Sequence, residues 1–112
     1  MQDSVLVELK VRYAREQFLE PPLPLDDRGH LDRIDAWRRW DRACEEMVRS
    51  LAGAEQAAEF KQVHAPEITV DDPDRLIAVG ASLVNTITLK VSWLDAFKVR
   101  LETRETLREL RS

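Results

Sequence analysis

Few side chains in this sequence have both the type and the spacing that catalysis or metal binding requires. The 112 residues include two histidines, His30 and His64, and one cysteine, Cys44. Neither histidine belongs to a Glu-x-x-His or His-x-x-x-His motif, which would place two zinc ligands on one helix face. Cys44 has no histidine at helical spacing to activate its thiol, and a single cysteine excludes an intrachain disulfide. We therefore expect no catalytic residue, no metal site and no cofactor, in a protein that is not an enzyme.

One segment combines aromatic and basic side chains in a way that suits single-stranded nucleic acid. Trp37 and Trp40 flank two arginines, so that rings could stack on bases while guanidinium groups contact phosphates. Acidic residues surround these arginines and neutralise the local charge: Asp32, Asp35, Asp41, Glu45 and Glu46. The whole chain carries a net charge of -4, which also disfavours a polyanionic partner. A small nucleic-acid-contacting regulator that uses Trp37–Arg42 or the basic C-terminal helix is therefore the alternative function.

Two clusters of helix-breaking residues divide the chain into the segments that must position these side chains. Prolines and a glycine interrupt residues 21–29, and a second cluster runs from His64 to Pro73. The intervals predict three helices, at about residues 4–20, 30–63 and 73–110. Asp26 and Asp72 precede the second and third helices, where a carboxylate can accept hydrogen bonds from the free N–H groups of the first turn. The length fits a single helical domain, residues 1–112, with one core.

The second and third helices each carry apolar residues at alternating steps of three and four. The stripe of the second helix consists of Trp37, Trp40, Cys44, Met47, Leu51, Ala54 and Ala58. The stripe of the third helix consists of Leu76, Gly80, Leu83, Ile87, Lys90, Leu94, Phe97 and Leu101, with Lys90 as its one charged member. Two helices of similar length, about 50 to 57 Å, joined by a short linker predict a long antiparallel hairpin. A short N-terminal helix would cover half of that hairpin.

A period-two pattern competes with this all-α interpretation. Apolar residues alternate with other residues near 4–13 and again within 86–103, as they do in half-buried strands. A hairpin in the second region would turn at Leu94-Asp95-Ala96, which lacks the glycine or asparagine that tight turns favour. We therefore predict an all-α fold, with an α+β fold that has strands near 4–13 and 86–103 as the alternative.

The first helix has two apolar faces in helical projection. One consists of Val7, Val11, Ala14 and Phe18, and the other consists of Leu6, Leu9 and Tyr13. A helix that lies between two partners shows such a pattern. Because a short first helix leaves part of the hairpin uncovered, we expect the chain to form a homodimer, with a helical bundle at its centre.

On these grounds we predict that the chain functions in protein–protein interaction or oligomerisation, as an adaptor or scaffold without a catalytic site. The partner would be a second copy of the chain or another helical protein. The predicted interface residues are those of the two stripes: Trp37, Trp40, Cys44, Met47, Leu51, Leu83, Ile87, Leu94, Phe97 and Leu101.

The N-terminal residues show no basic region followed by a long apolar run, so we expect a cytoplasmic protein without a secretory signal. The segment from Leu76 to Leu94 is apolar enough to resemble a membrane span. Lys90 in that segment would cost about 2.5 to 3.5 kcal/mol on insertion. A helix buried in the protein on most of its circumference is therefore the preferred interpretation, with no membrane partner.

Overall fold

The computed structural model describes residues 2–22, 26–65 and 75–111, and all regular elements in those ranges are helical. Helix α1 spans Gln2–Ala14 and continues as a π-helical segment, Arg15–Leu19; α2 spans Asp27–Ala52, α3 spans Ala54–Gln62 and α4 spans Arg75–Arg111. The predicted all-α class is confirmed. The alternative with strands near 4–13 and 86–103 is wrong, because both regions lie inside helices.

The start of α2 follows the predicted capping pattern. Asp26 has an extended backbone, and its Oδ1 accepts a hydrogen bond of 2.7 Å from the backbone N–H of Gly29. This bond satisfies one of the N–H groups that a helix leaves free in its first turn. The corresponding cap proposed for the third helix, Asp72, lies outside the described residues.

Gly53 divides the predicted second helix into two. Its φ of +96° and ψ of 174° lie in a region that only glycine adopts without strain. Its N–H donates to the Arg49 carbonyl at 2.9 Å and its carbonyl accepts from the Ala57 N–H at 3.2 Å. Both helices therefore run right up to Gly53, and the change of direction is confined to this residue.

The chain reverses at Gly53. The Lys90 ammonium forms an ion pair with Asp41 of α2 and lies 4.5 Å from the ring centre of Phe60 in α3. In one continuous helix Asp41 and Phe60 would be about 28 Å apart, so a single ammonium could not contact both. Helix α3 therefore folds back along α2.

Contacts along α4 show that α3 and α1 are both antiparallel to it. Arg100 donates to Gln56 at 3.4 Å and Trp93 donates to Glu59 at 3.2 Å, while the N–H of Ala65 donates to Thr86 at 3.0 Å. On the other side of α4, ion pairs join Arg15 to Asp95 at 2.8 Å and Glu8 to Lys98 at 3.9 Å.

These contacts correct the expected hairpin of two equal long helices. Helix α2 has 26 residues and α4 has 37, and the short α3 takes the place of an antiparallel partner beside α4. The reversal at Gly53 is the physical reason, because it makes α2 and α4 run in the same general direction.

The core lies where α1, α2, α3 and α4 meet. Its buried members include Val7, Val11, Ala14, Phe18, Trp40, Cys44, Val48, Ala57, Phe60, Leu83, Ile87, Val91, Leu94, Phe97 and Leu101. The α4 stripe is confirmed as a core stripe from Gly80 to Leu101, whereas the side chain of Leu76 lies outside the described part. The α2 stripe stops at Gly53: Ala54 and Ala58 are exposed, and Ala57 and Phe60 are buried instead.

The molecule is elongated. Its principal extents are 60 × 24 × 17 Å and its Cα radius of gyration is 16.1 Å, against about 13 Å for a compact chain of this length. Within residues 102–111 every side chain except that of Glu105 is exposed, so the last turns of α4 extend past the core.

Candidate functional site

Helices α1 and α2 lie side by side in opposite directions and are joined by two hydrogen bonds from α2 side chains to backbone carbonyls. The indole Nε1 of Trp40 donates to the Lys10 carbonyl at 3.0 Å, and the guanidinium of Arg33 donates to the Phe18 carbonyl. Phe18 also packs edge-to-face on Trp40, with ring centres 6.2 Å apart. Because Lys10 lies beside Trp40 and Phe18 lies beside Arg33, the two helices are antiparallel.

An open apolar groove of about 860 Å³ runs between α1 and α2. Leu6, Leu9 and Tyr13 line one wall, and each is about half exposed. Small residues at heptad spacing and two larger apolar residues line the α2 wall: Ala36, Ala43, Ser50, Met47 and Leu51. The second apolar face predicted for the first helix is therefore present, and no other part of the described chain covers it.

Charged residues border this groove on both helices. Lys10 and Arg39 line it, and Arg39 forms a surface ion pair with Asp35 at 2.9 Å. Asp3 precedes Lys10 by seven residues on α1, and Glu46 follows Arg39 by seven on α2. Since seven residues make almost two full helical turns, the members of each pair lie on the same helix face.

The predicted interface residues divide into two groups. Trp40, Cys44, Leu83, Ile87, Leu94, Phe97 and Leu101 are buried by packing within one chain. Trp37, Met47 and Leu51 are half-buried, and Met47 and Leu51 line the groove together with Trp40. The predicted set thus contained three of the α2 residues that line the groove and none of the α1 residues.

Comparisons of this chain with protein-family models, curated proteins and solved structures found no match.

A buried cation lies in the core behind the groove. Lys90 is 2% exposed and forms an ion pair with Asp41. Its ammonium also lies 4.5 Å from the ring centre of Phe60 and 5.8 Å from that of Trp37. These contacts explain how a charged residue occupies the apolar α4 stripe: a carboxylate and two aromatic rings replace its water. The sequence marked Lys90 as a misfit but could not indicate its partner.

The tryptophan rings are engaged within the chain. Trp40 is 4% exposed. The Lys90 ammonium lies over the Trp37 ring, and Trp93 stacks on Phe97 with ring centres 5.3 Å apart. Within the segment Trp37–Arg42, the Trp40 ring packs in the core and Trp37 is half-buried. Arg39 pairs with Asp35, and Arg38 and Arg42 are exposed.

The remaining nucleophilic, titratable and metal-binding side chains of the described residues do not form a cluster. Burial raises the pKa of the Cys44 thiol to about 12, so the thiolate is strongly disfavoured at neutral pH. Burial likewise lowers the pKa of Arg33. Among the described residues, no three histidine, cysteine or acidic side chains are placed to share a metal ion.

The helices in the described ranges also include none that is long and apolar enough to span a membrane.

Proposed function

We propose that this chain is a helical protein-interaction module whose binding surface is the groove between α1 and α2. The observation that carries the proposal is the groove itself: two adjacent helices leave a continuous apolar channel open to solvent. Such a channel is the shape that an amphipathic helix fills, with side chains at i, i+3, i+4 and i+7 as anchors.

The distribution of exposed apolar side chains supports this site. Four large apolar side chains of α1, those of Val5, Leu6, Leu9 and Tyr13, are 47%, 48%, 52% and 48% exposed. The other exposed large apolar residues of the described chain are spread along α2 and α4: Leu31, Leu89, Val99, Leu107 and Leu110. Isolated exposed apolar residues are ordinary, but a contiguous set next to a groove is typical of an interaction surface.

The total surface also supports a partner. The chain exposes 7795 Å², whereas a compact monomer of 13.0 kDa exposes about 6,300 Å². The excess, about 1,500 Å², is larger than the roughly 800 Å² that a standard protein–protein interface buries on each partner. A binding partner would therefore cover about half of this extra surface.

A peptide-binding measurement tests the proposal. The probe is a fluorescent 18-residue peptide with leucine at heptad positions a and d, and with alanine and glutamate elsewhere to complement Lys10 and Arg39. Fluorescence anisotropy at submicromolar concentrations of the full chain should show saturable binding. Leu9→Glu places a charge in the groove and should weaken binding by about tenfold or more.

Val99→Glu is the matched control. Val99 is 59% exposed on α4, outside the groove, so this variant should bind the peptide as the natural chain does. Both substitutions are at exposed positions and should leave the circular dichroism spectrum unchanged. Absence of saturable binding to a chain that is monomeric at the concentration used, or equal loss in the two variants, would contradict the proposal.

A further inference from the structure

We infer that the occupant of the groove is a second copy of this chain. The α1–α2 faces of the two copies pack against each other about a twofold axis that is perpendicular to the helices. Together the two faces complete an antiparallel four-helix bundle. This inference rests on the proposed function of the groove and names its partner. A surface can pair with its own copy about a twofold axis only if it is complementary to itself.

The α2 wall is self-complementary in charge. Arg39 and Glu46 are opposite in sign and seven residues apart, with Ala43 between them. When two copies of α2 are antiparallel about an axis near Ala43, Arg39 of each copy lies beside Glu46 of the other. Both residues are exposed. The pair of Arg39 with Asp35 lies on the surface, where ion pairs are weak, so it is easily exchanged for this one.

The α1 wall repeats the same arrangement. Asp3 and Lys10 are also opposite in sign and seven residues apart, with Leu6 between them. An antiparallel second copy of α1, centred between the two charges, brings Asp3 of each copy beside Lys10 of the other. Leu6 and Leu9 then meet the corresponding apolar residues across the axis.

The same twofold axis pairs the opposite charges of the α1 wall and those of the α2 wall. This coincidence favours a second copy over an unrelated helix as the occupant. The bond from Trp40 to the Lys10 carbonyl sets these two residues at the same height. Measured along the bundle, the midpoint between Asp3 and Lys10 lies about 5 Å from Lys10. The midpoint between Arg39 and Glu46 lies about 4 Å from Trp40. Because α1 and α2 are antiparallel, both displacements point in the same direction, and the midpoints nearly coincide in height.

Small residues allow the close approach that the arrangement needs. Ala36, Ala43 and Ser50 recur every seven residues along the α2 wall of the groove. Small side chains at this spacing let two helix axes come as close as about 8 Å. Ala43, at the centre of the series, lies next to the proposed axis.

Charge reversal combined with solution mass tests the inference. The full chain should sediment as a dimer of about twice its 13.0 kDa. Arg39→Glu and Glu46→Arg should each weaken dimerisation by about tenfold or more, since each creates two like-charged contacts. The double variant restores both contacts with reversed sign and should return the dissociation constant to within about threefold of the natural value.

Arg104→Glu, at an exposed position of α4 outside the groove, makes the same change of net charge and should leave dimerisation unchanged. Circular dichroism should show equal helix content in all variants. A dimer that is insensitive to the Arg39 and Glu46 reversals would overturn the inference, and so would failure of the double variant to recover.

A second measurement fixes the register. Ala43→Cys in a Cys44→Ala background should form a disulfide-linked dimer under oxidation by copper phenanthroline, whereas Ala96→Cys on the exposed face of α4 should not. The absence of this cross-link would exclude an axis near Ala43.

The outcomes also separate this inference from the proposed function. A chain that remains at 13.0 kDa but binds the amphipathic peptide in its groove takes another protein as partner, so only the self-association is wrong. A monomeric chain that also fails to bind the peptide would contradict both.

Discussion

At the scale of single residues, the Lys90–Asp41 pair is the most demanding feature of the core. Lys90 is almost fully buried, whereas the Asp41 side chain is 27% exposed. Removing the carboxylate leaves a buried ammonium without its counter-charge, and this is more costly than removing the pair as a unit.

We therefore expect Asp41→Ala to lower the free energy of unfolding by about 3 kcal/mol, near the lower end of the range for breaking a buried pair. The double variant Asp41→Ala with Lys90→Met should recover most of that loss, because methionine buries a similar volume without a charge. Urea denaturation of the two variants measures the difference. Equal destabilisation of the single and double variants would show that the charge of Lys90 is not what Asp41 stabilises.

Cys44 gives the fold a defined pH dependence. Because burial raises the pKa of its thiol to about 12, the folded chain keeps the proton while the unfolded chain releases it above about pH 9. The free energy of unfolding should then fall as pH rises from about 9 towards 12, by up to about 1.4 kcal/mol per pH unit from this group.

The measurement compares denaturation curves of the natural chain and of Cys44→Ala across that range. Lysines titrate in both proteins, so the difference between the two slopes isolates the thiol. Parallel pH profiles would indicate that the Cys44 thiol ionises alike in the folded and unfolded states.

At the scale of elements, Gly53 determines whether the middle of the chain is one helix or two. Nothing lies within 4 Å of a Cβ added at this position, so a substitution meets backbone strain and no steric clash. The strain of a non-glycine residue in this conformation is about 1 to 3 kcal/mol.

Gly53→Ala should therefore lower the free energy of unfolding by about 1 to 3 kcal/mol and favour a straight continuation of α2. Gly29→Ala is the matched control, because Gly29 lies in the first turn of α2 without a positive φ. There alanine should stabilise the chain by up to about 1 kcal/mol. Thermal denaturation distinguishes the two, and a neutral Gly53→Ala would mean that the reversal needs no glycine.

At the scale of the whole molecule, the elongated shape links stability to association. A narrow bundle buries less of its apolar surface than a compact one, and the groove is where a second copy would bury more. We expect the melting temperature to rise with protein concentration, since a partner that binds only the folded state stabilises it. Differential scanning calorimetry over a hundredfold range of concentration measures this effect. A constant melting temperature would argue for folding that is complete in one chain.

The helical class and most of the core could be predicted from the order of the residues. Alternating steps of three and four identified the α4 stripe from Leu83 to Leu101, and the same rule identified Trp40 and Cys44 on α2. Proline clusters and Asp26 marked the start of α2 correctly to within a few residues. These features depend on local propensity and on the helical period, both of which are properties of neighbouring residues.

The arrangement of the helices and the apolar face that stays open depend on tertiary contacts. The reversal at Gly53 depends on one pair of backbone angles, and a heptad pattern that continues through residue 58 concealed it. The sequence showed both faces of α1, but it could not show that Val7 and Val11 would be covered while Leu6 and Leu9 would not. That choice depends on contacts between residues far apart in the chain, as does the pairing of Lys90 with Asp41, and spacing along a sequence carries no information about such contacts.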